Sequence, residues 1–540
     1  MDVSTTSTTN LTGDNRHDEV ESMAMDGFER SRGFGVGILD DFKRRSRFYV
    51  SDFSDSVSSK TLSASAFMFF ATVFSTIALG THLQSSSNES IGVQEYLLMN
   101  GMSGIVFALV SPQPLMILRP TGPITLILEN LVSISNSYHI DFWQLLAYSG
   151  YFVGLYLIVL SSLEASTLMQ RLTRFTYEIF GCYVCSVYIF SGVQGVVYSF
   201  HADSYPSPSS SKSSGDDYRD TDDLSTSFVL ASALFTVITA TVTLCLALLL
   251  SSCAATPEAR QPSWSDKSDR LPQHLPPDLS SLRIVSTPLS GGEEPGRNAD
   301  HDTTCHWTVG TPTLRGFLSD YAVTIAVLIV TGLSFLPALY GLTEASSEQQ
   351  AALQVDRVSI PHTSFPPIPT SAEGDGRSTW LVDFTDADDN DGDAWRTVCV
   401  SALVAVPIAF FFFVDQSLSA LLSQKPHMEG MRKGVYLHGP LALIAVFNII
   451  GPSFGLPFVT ASLPHSPQLV EALTSRRTSS VGSAPDSVCA ENRVAPLLVY
   501  LLILGVATIP VLTPLVRCMP VGAIRGTWSY QRCVEYEDDH

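Results

Sequence analysis

Two stretches of this chain are apolar enough for a lipid bilayer and too broken to cross it as ordinary helices. The first runs Pro112-Gln113-Pro114-Leu115-Met116-Ile117-Leu118-Arg119-Pro120-Thr121-Gly122-Pro123 and on to Glu129. Proline is tolerated in the first turn of a helix but not in its interior, so the pattern predicts an extended segment followed by a short helix that starts near Gly122-Pro123. The second stretch is Gly451-Pro452-Ser453-Phe454-Gly455-Leu456-Pro457, continuing to Leu463-Pro464-His465-Ser466-Pro467. There Ser466 suits an N-cap and Pro467 a first helical residue, which sets His465 at the positive end of a helix. Irregular backbone at membrane depth is tolerated only where it is buried in protein or lines a cavity. Two such interruptions in corresponding places predict an inverted-repeat transporter, with substrate between two half-helix N-termini.

The rest of the sequence fits a membrane. Of 540 residues, 45% are hydrophobic and only 15% charged, too apolar for an average soluble protein. The formal net charge of -21 speaks against a nucleic-acid partner. Cysteines are scattered, several within apolar runs, which gives no disulfide framework. No apolar segment precedes Thr61, so the first span is expected to act as the insertion signal.

Apolar runs near the length needed to span the hydrocarbon recur at 61–82, 93–111, the broken 112–132, 142–163, 176–199, 226–252, 318–341, 397–423, 436–452, the broken 453–473 and 494–516. They divide the chain into a polar tail (1–36), an amphipathic juxtamembrane segment (37–60), a first membrane block (61–252), a polar loop (253–317), a seventh helix (318–341), an acidic loop (342–396), a second block (397–524) and a polar tail (525–540). With the N-terminus in the cytoplasm, Arg171, Arg174, Lys425, Arg432, Lys433, Arg476, Arg477 and Arg493 fall on the cytoplasmic side, and the acidic runs Asp216 to Asp223 and Asp383 to Asp393 fall outside. The basic cluster Lys43-Arg44-Arg45-Ser46-Arg47 is expected on the cytoplasmic membrane surface. The connections 201–225, 254–316 and 343–396, rich in Ser, Pro, Gly and Asp, read as flexible loops. Asn88-Glu89-Ser90 is a glycosylation sequon in a loop assigned outside.

Among chemistry-bearing residues, Cys182-Tyr183-Val184-Cys185 lies in an apolar helix with no second ligand pair, and His301, Cys305 and His306 lie in a polar loop, so no metal site is expected. Asp415, inside Phe410-Phe411-Phe412-Phe413-Val414-Asp415-Gln416-Ser417, differs: a carboxylate within a span is costly and by default functional. His465 is a second group of interest, able to change charge near neutral pH.

Several strings resemble the bicarbonate and borate anion transporters, and within them the borate branch. They are Gly37-Ile38-Leu39-Asp40-Asp41-Phe42-Lys43-Arg44-Arg45, Gln113-Pro114-Leu115, Thr121-Gly122-Pro123, Arg171-Leu172-Thr173-Arg174-Phe175-Thr176-Tyr177-Glu178, Asp320-Tyr321-Ala322-Val323, Phe413-Val414-Asp415-Gln416-Ser417, Phe454-Gly455-Leu456-Pro457 and Leu463-Pro464-His465-Ser466-Pro467, in order along nearly the whole chain. The resemblance implies an all-α polytopic fold of two inverted seven-helix repeats, with core and gate domains and the anion bound between the third and tenth helices. On that pattern Thr121, Gly122, Pro123 and Thr125 carry one end of the site, Asp415 its acidic position, and Ser462, His465 and Ser466 the other end. It further implies no enzymatic chemistry, no cofactor, a small inorganic anion such as borate or bicarbonate as cargo, a coupling proton or sodium with Asp415 and His465 as the coupling residues beside the anion, a homodimer, and the plasma membrane as location. Two departures stand out. Chloride-bicarbonate exchangers carry arginine at the position of His465, and the family continues through three further helices where Arg525 to His540 turn polar. The second departure predicts a complete core with a half-present gate. It carries an alternative function, that of a non-transporting truncated isoform or an incompletely read gene.

Overall fold

A computed structural model of the protein describes residues 33–56, 58–87, 90–171, 174–198, 220–252, 321–340, 391–424, 431–477 and 486–527, with short pieces at 200, 317–318, 354–358 and 381–382. An amphipathic helix, α1 (Val36–Ser46), leads into α2 (Ser59–Ser86) and α3 (Val93–Val110). The chain is then extended through β1 (Leu118–Arg119) before α4 (Gly122–Tyr138), α5 (Phe142–Ser162), α6 (Arg174–Tyr198), α7 (Asp220–Ser252) and α8 (Ala322–Leu333). The second half repeats the order with α9 (Asp391–Ser423), α10 (His438–Ser453), β2 (Thr460–Ala461), α11 (His465–Leu473) and α12 (Val494–Thr508), and ends in α13 (Thr513–Arg517) and a helical stretch at 521–527. Among the described residues six helices are long and apolar enough to cross a membrane. At 1.5 Å per residue α11 is only about 14 Å long, so it crosses less than half of a hydrocarbon layer ~30 Å thick. Residues 456–462, which include β2, run without helix between the turns that follow α10 and precede α11.

The packing shows how the two halves are related. Helix α3 packs on α12 and α10 packs on α5; α2 packs on α12 and α9 on α5; α2 packs on α4 and α9 on α11. Exchanging α2, α3, α4 and α5 with α9, α10, α11 and α12 turns each contact into another contact of the same set. This is what an inverted repeat predicts. The interface is dense where glycine lets helices approach: a Cβ on Gly154 of α5 would lie 2.2 Å from the Ile449 side chain of α10.

Helix α1 contradicts the simple picture of a basic helix lying on a membrane surface. Its charged residues Asp41 and Arg45 are buried, whereas Leu39 and the flanking Phe34 are exposed. Of the basic cluster, Lys43 and Arg47 are exposed, but Arg44 pairs with Asp40 and Asp41, and Arg45 with Asp52 and Glu491. The reason is that the neighbouring helix ends supply unpaired backbone groups and complementary charges. Asp41 Oδ2 accepts the backbone N–H groups of His438 and Gly439, 2.8 and 2.9 Å away, a carboxylate at the positive end of α10. Arg493 Nη1 donates to the carbonyls of Ala108 and Leu109, a cation at the negative end of α3. Asp52 joins Arg45, Lys433 and Arg493 at 2.8, 2.9 and 3.0 Å.

The helices differ from the expected spans at several ends: α2 runs on to Ser86, α4 to Tyr138, α7 begins at Asp220, and α8 is confined to Ala322–Leu333. The last span stops at Thr508 instead of 516, because Pro510 has no N–H with which to continue the helix, and the helical stretch 521–527 runs past the expected boundary at 524. Gly522 and Gly526 of that stretch lie against Thr236 and Ala240 of α7. Asp391 and Asp393 are not in a loop but in the first turn of α9, a position that favours acidic residues. The acidic connection is also tied to the bundle: Gln354 N donates to Ser232 Oγ, Val358 N to the Met519 carbonyl, and Val382 N to the Ser453 carbonyl. The sequon Asn88-Glu89, the loop 253–316 with His301, Cys305 and His306, and residues 383–390 lie outside the described residues.

Residue 382 meets the C-terminal end of α10, and α1 meets its N-terminal end. The hairpin of β3 (Thr474–Arg477) and β4 (Asp486–Cys489) lies at the α1 end, where Lys60 donates to the Thr474 carbonyl. Residues 381–382 and the β3–β4 hairpin thus lie at opposite ends of α10. In a background with the native cysteines replaced, an Asp388→Cys variant is expected to react with an impermeant maleimide in intact cells, and Arg476→Cys only after permeabilisation. Labelling of Arg476→Cys in intact cells would contradict this topology.

Candidate functional site

The two broken segments meet. Strand β1 pairs with β2 antiparallel, Leu118 opposite Ala461 and Arg119 opposite Thr460, and these residues are buried. Two-residue strands leave flanking donors and acceptors that need partners at membrane depth. Ser462 N donates to the Ile117 carbonyl at 2.7 Å, and Ile117 N to Ser466 Oγ at 3.0 Å. Leu118 N donates to the Tyr500 hydroxyl at 2.6 Å, and Ala461 N to Gln416 Oε1 at 3.2 Å. Asn448 of α10 holds Val459 through both its N–H and its carbonyl, at 2.9 and 2.8 Å. Polar side chains of α9, α10, α11 and α12 thus replace the helical hydrogen bonds that the prolines remove.

The residues expected in the site come together, in roles that differ from one another. Thr121 occupies the N-cap position of α4 in extended conformation, and Gly122 and Pro123 open the helix. Thr125 is one turn further in, where its hydroxyl lies 3.0 Å from that of Tyr96 on α3 and 3.3 Å from the Thr121 carbonyl, a link within the first repeat. His465 is the first residue of α11 and buried, with Nδ1 2.9 Å from Ser462 Oγ. Ser466 does not cap the helix. The N-cap residue is Pro464, because the Ser466 hydroxyl is engaged across the strand crossing: it donates to the Ser462 carbonyl at 2.8 Å, accepts from Ile117 N, and lies 3.1 Å from Ser419 Oγ of α9. Asp415 of α9 is 3% exposed, and α9 packs on β2, the strand that carries Thr460.

Arg119 is the residue that reading the sequence missed. It is fully buried at 0% exposure, its Nη1 donates to Ser75 Oγ of α2, and the same nitrogen lies 3.4 Å from His465 Nε2. The signal was present: an ionisable side chain within an apolar stretch is as costly for arginine as for aspartate. The arrangement holds two helix starts, one guanidinium, one carboxylate and several hydroxyls in one buried place. That set can bind an anion through donors and positive helix ends, and can balance its charge.

The sequence model of a family described as the HCO3- transporter integral membrane domain matches residues 32–252 and 311–533. The chain belongs to this family. Its members are membrane transporters, not enzymes, and the matched residues include both broken segments and α1, leaving out most of the long polar connection. Among similar proteins, the family member named electrogenic sodium bicarbonate cotransporter 1 of Mus musculus is 24% identical over 96% of this chain and 46% of its own length. Anion exchange protein 4 of Homo sapiens is 25% identical over 92% of this chain and 47% of its own. Solute carrier family 4 member 11 of Homo sapiens is 26% identical over 82% and 45%. This chain therefore spans about half the length of the curated relatives it matches. A solved structure, the transmembrane domain of a cyanobacterium bicarbonate transporter BicA, aligns over 89% of both chains with 12% identity and a TM-score of 0.46.

Proposed function

We propose that this member of the bicarbonate transporter family carries a small inorganic anion, bicarbonate or borate, across a membrane. In this reading the anion sits between the starts of α4 and α11, and Thr121, Gly122, Pro123, Ser462 and His465 surround it. The observation that supports the proposal is the buried β1–β2 crossing, in which Arg119 lies opposite Thr460 just ahead of α4 and α11, while α9, the helix that carries Asp415, packs on β2. Relatives named as bicarbonate cotransporters and anion exchangers support the choice of cargo. Movement of a core made of α2–α5 and α9–α12 against the remaining helices would expose the site to either side. A homodimer in the plasma membrane with a cytoplasmic N-terminus belongs to the same reading.

Coupling follows from charge. Asp415 beside an anion is unfavourable until a proton or sodium ion neutralises it, so anion and cation enter together. In proteoliposomes, anion uptake is expected to accelerate as the external side is made more acidic. Asp415→Asn should weaken that acceleration about tenfold, whereas His465→Gln should lower flux with a smaller effect on the pH profile, because the Arg119 guanidinium 3.4 Å from its ring opposes a second positive charge there. Flux measured across a pH series tests this; an unchanged profile in both variants would leave Asp415 and His465 with structural roles.

A further inference from the structure

Arg119 is a costly residue to place at this depth, and groups other than its side chain hold the strand crossing. The crossing is already held by backbone pairing, by the Ser466 and Tyr500 hydroxyls and by the Gln416 amide. The guanidinium itself meets residues of both repeats: it donates to Ser75 Oγ on α2, and its Nη1 lies 3.4 Å from His465 Nε2 on α11. It stands where the two helix starts converge. Its planar fork of five donors matches two oxygens of one oxyanion, planar bicarbonate or tetrahedral borate, a geometry that an ammonium or an imidazole does not offer.

We infer that Arg119 is the fixed cation that binds the transported anion, and that together with Asp415 it selects a monovalent oxyanion. This rests on the transport reading above and adds to it a residue and a charge class. Arg119 and an ionised Asp415 sum to zero. One proton or sodium ion on Asp415 leaves a single positive charge, which one monovalent anion cancels. A divalent anion would leave a net negative charge in a buried site, at high desolvation cost.

The test compares the wild-type protein with Arg119→Gln, Arg119→Lys and the double variant Arg119→Gln/His465→Arg in proteoliposomes, with bicarbonate, borate and sulfate as probes and thermal melting as the measure of folding. Wild type is expected to move bicarbonate or borate and not sulfate. Arg119→Gln should raise the apparent KM about tenfold or more, the size of losing a charged hydrogen-bond donor. Arg119→Lys should lose less. The double variant returns an arginine to the same buried place from the opposite repeat and should recover most of the lost affinity. A wild-type KM in Arg119→Gln would overturn the inference, as would sulfate flux equal to that of bicarbonate. A loss in Arg119→Gln that neither Lys nor the relocated arginine recovers, or a failure of all three variants to fold, would assign Arg119 a structural role instead. If the wild type moved none of the three anions, the transport reading itself would fall.

Discussion

Gly122→Leu is expected to reduce anion flux to background while the protein still reaches the membrane. Gly122 is buried at the first position of α4, directly after the extended Thr121, with Pro123 behind it. Its backbone is helical, so leucine is compatible with the local conformation and improves helix propensity. The cost is spatial: a four-carbon side chain enters the space in front of the helix start, where an anion would approach the backbone donors. Overpacking at a buried site costs about 1–3 kcal/mol, which a bundle of this size can absorb. Surface biotinylation beside flux measurement separates the two effects. Near-normal expression with flux at background is the expected pair of results, and normal flux would remove this segment from the site.

The second large effect is on stability. Asp52 is 0% exposed and neutralises three cations drawn from distant parts of the chain, Arg45, Lys433 and Arg493. Asp52→Ala leaves those cations with Glu491 as the remaining buried carboxylate, which already accepts the backbone N–H groups of Arg432 and Lys433. Breaking a buried ion pair by removing one partner costs about 3–5 kcal/mol, because the surviving charges stay desolvated. Asp55 binds the same Lys433 at 2.8 Å, yet its side chain is 47% exposed, so Asp55→Ala should cost under about 1 kcal/mol. Thermal melting of both variants in detergent checks the contrast. Equal melting temperatures would mean that α1 is not fastened to the bundle through Asp52.

The features that could be read from sequence are those fixed by local chemistry. Proline and glycine mark where helix is impossible, so the start of α4 at Gly122 and the extended stretches before α4 and α11 were legible, as were the spans. Features that depend on what lies opposite were not. Ser466 has the composition of a helix cap, but Ile117 N, 349 residues away in sequence, occupies its hydroxyl. The periodicity of α1 reveals two faces without saying which one meets protein, and the partners that decide it, at 438–439 and 491–493, belong to the second repeat. Arg119 could be recognised as costly but not as a neighbour of His465 and Asp415. That neighbourhood exists only through the pairing of β1 with β2.

In the proposed reading the crossing of the two broken segments forms a working anion site. Initial uptake of bicarbonate and of borate by purified wild-type protein in proteoliposomes, with and without an inward acid gradient and beside Gly122→Leu, tests it most directly. Saturable uptake of at least one of the two anions, faster with the acid gradient and lost in Gly122→Leu, is the expected result; uptake by folded wild-type protein no faster than by protein-free vesicles, with or without the gradient, would contradict it.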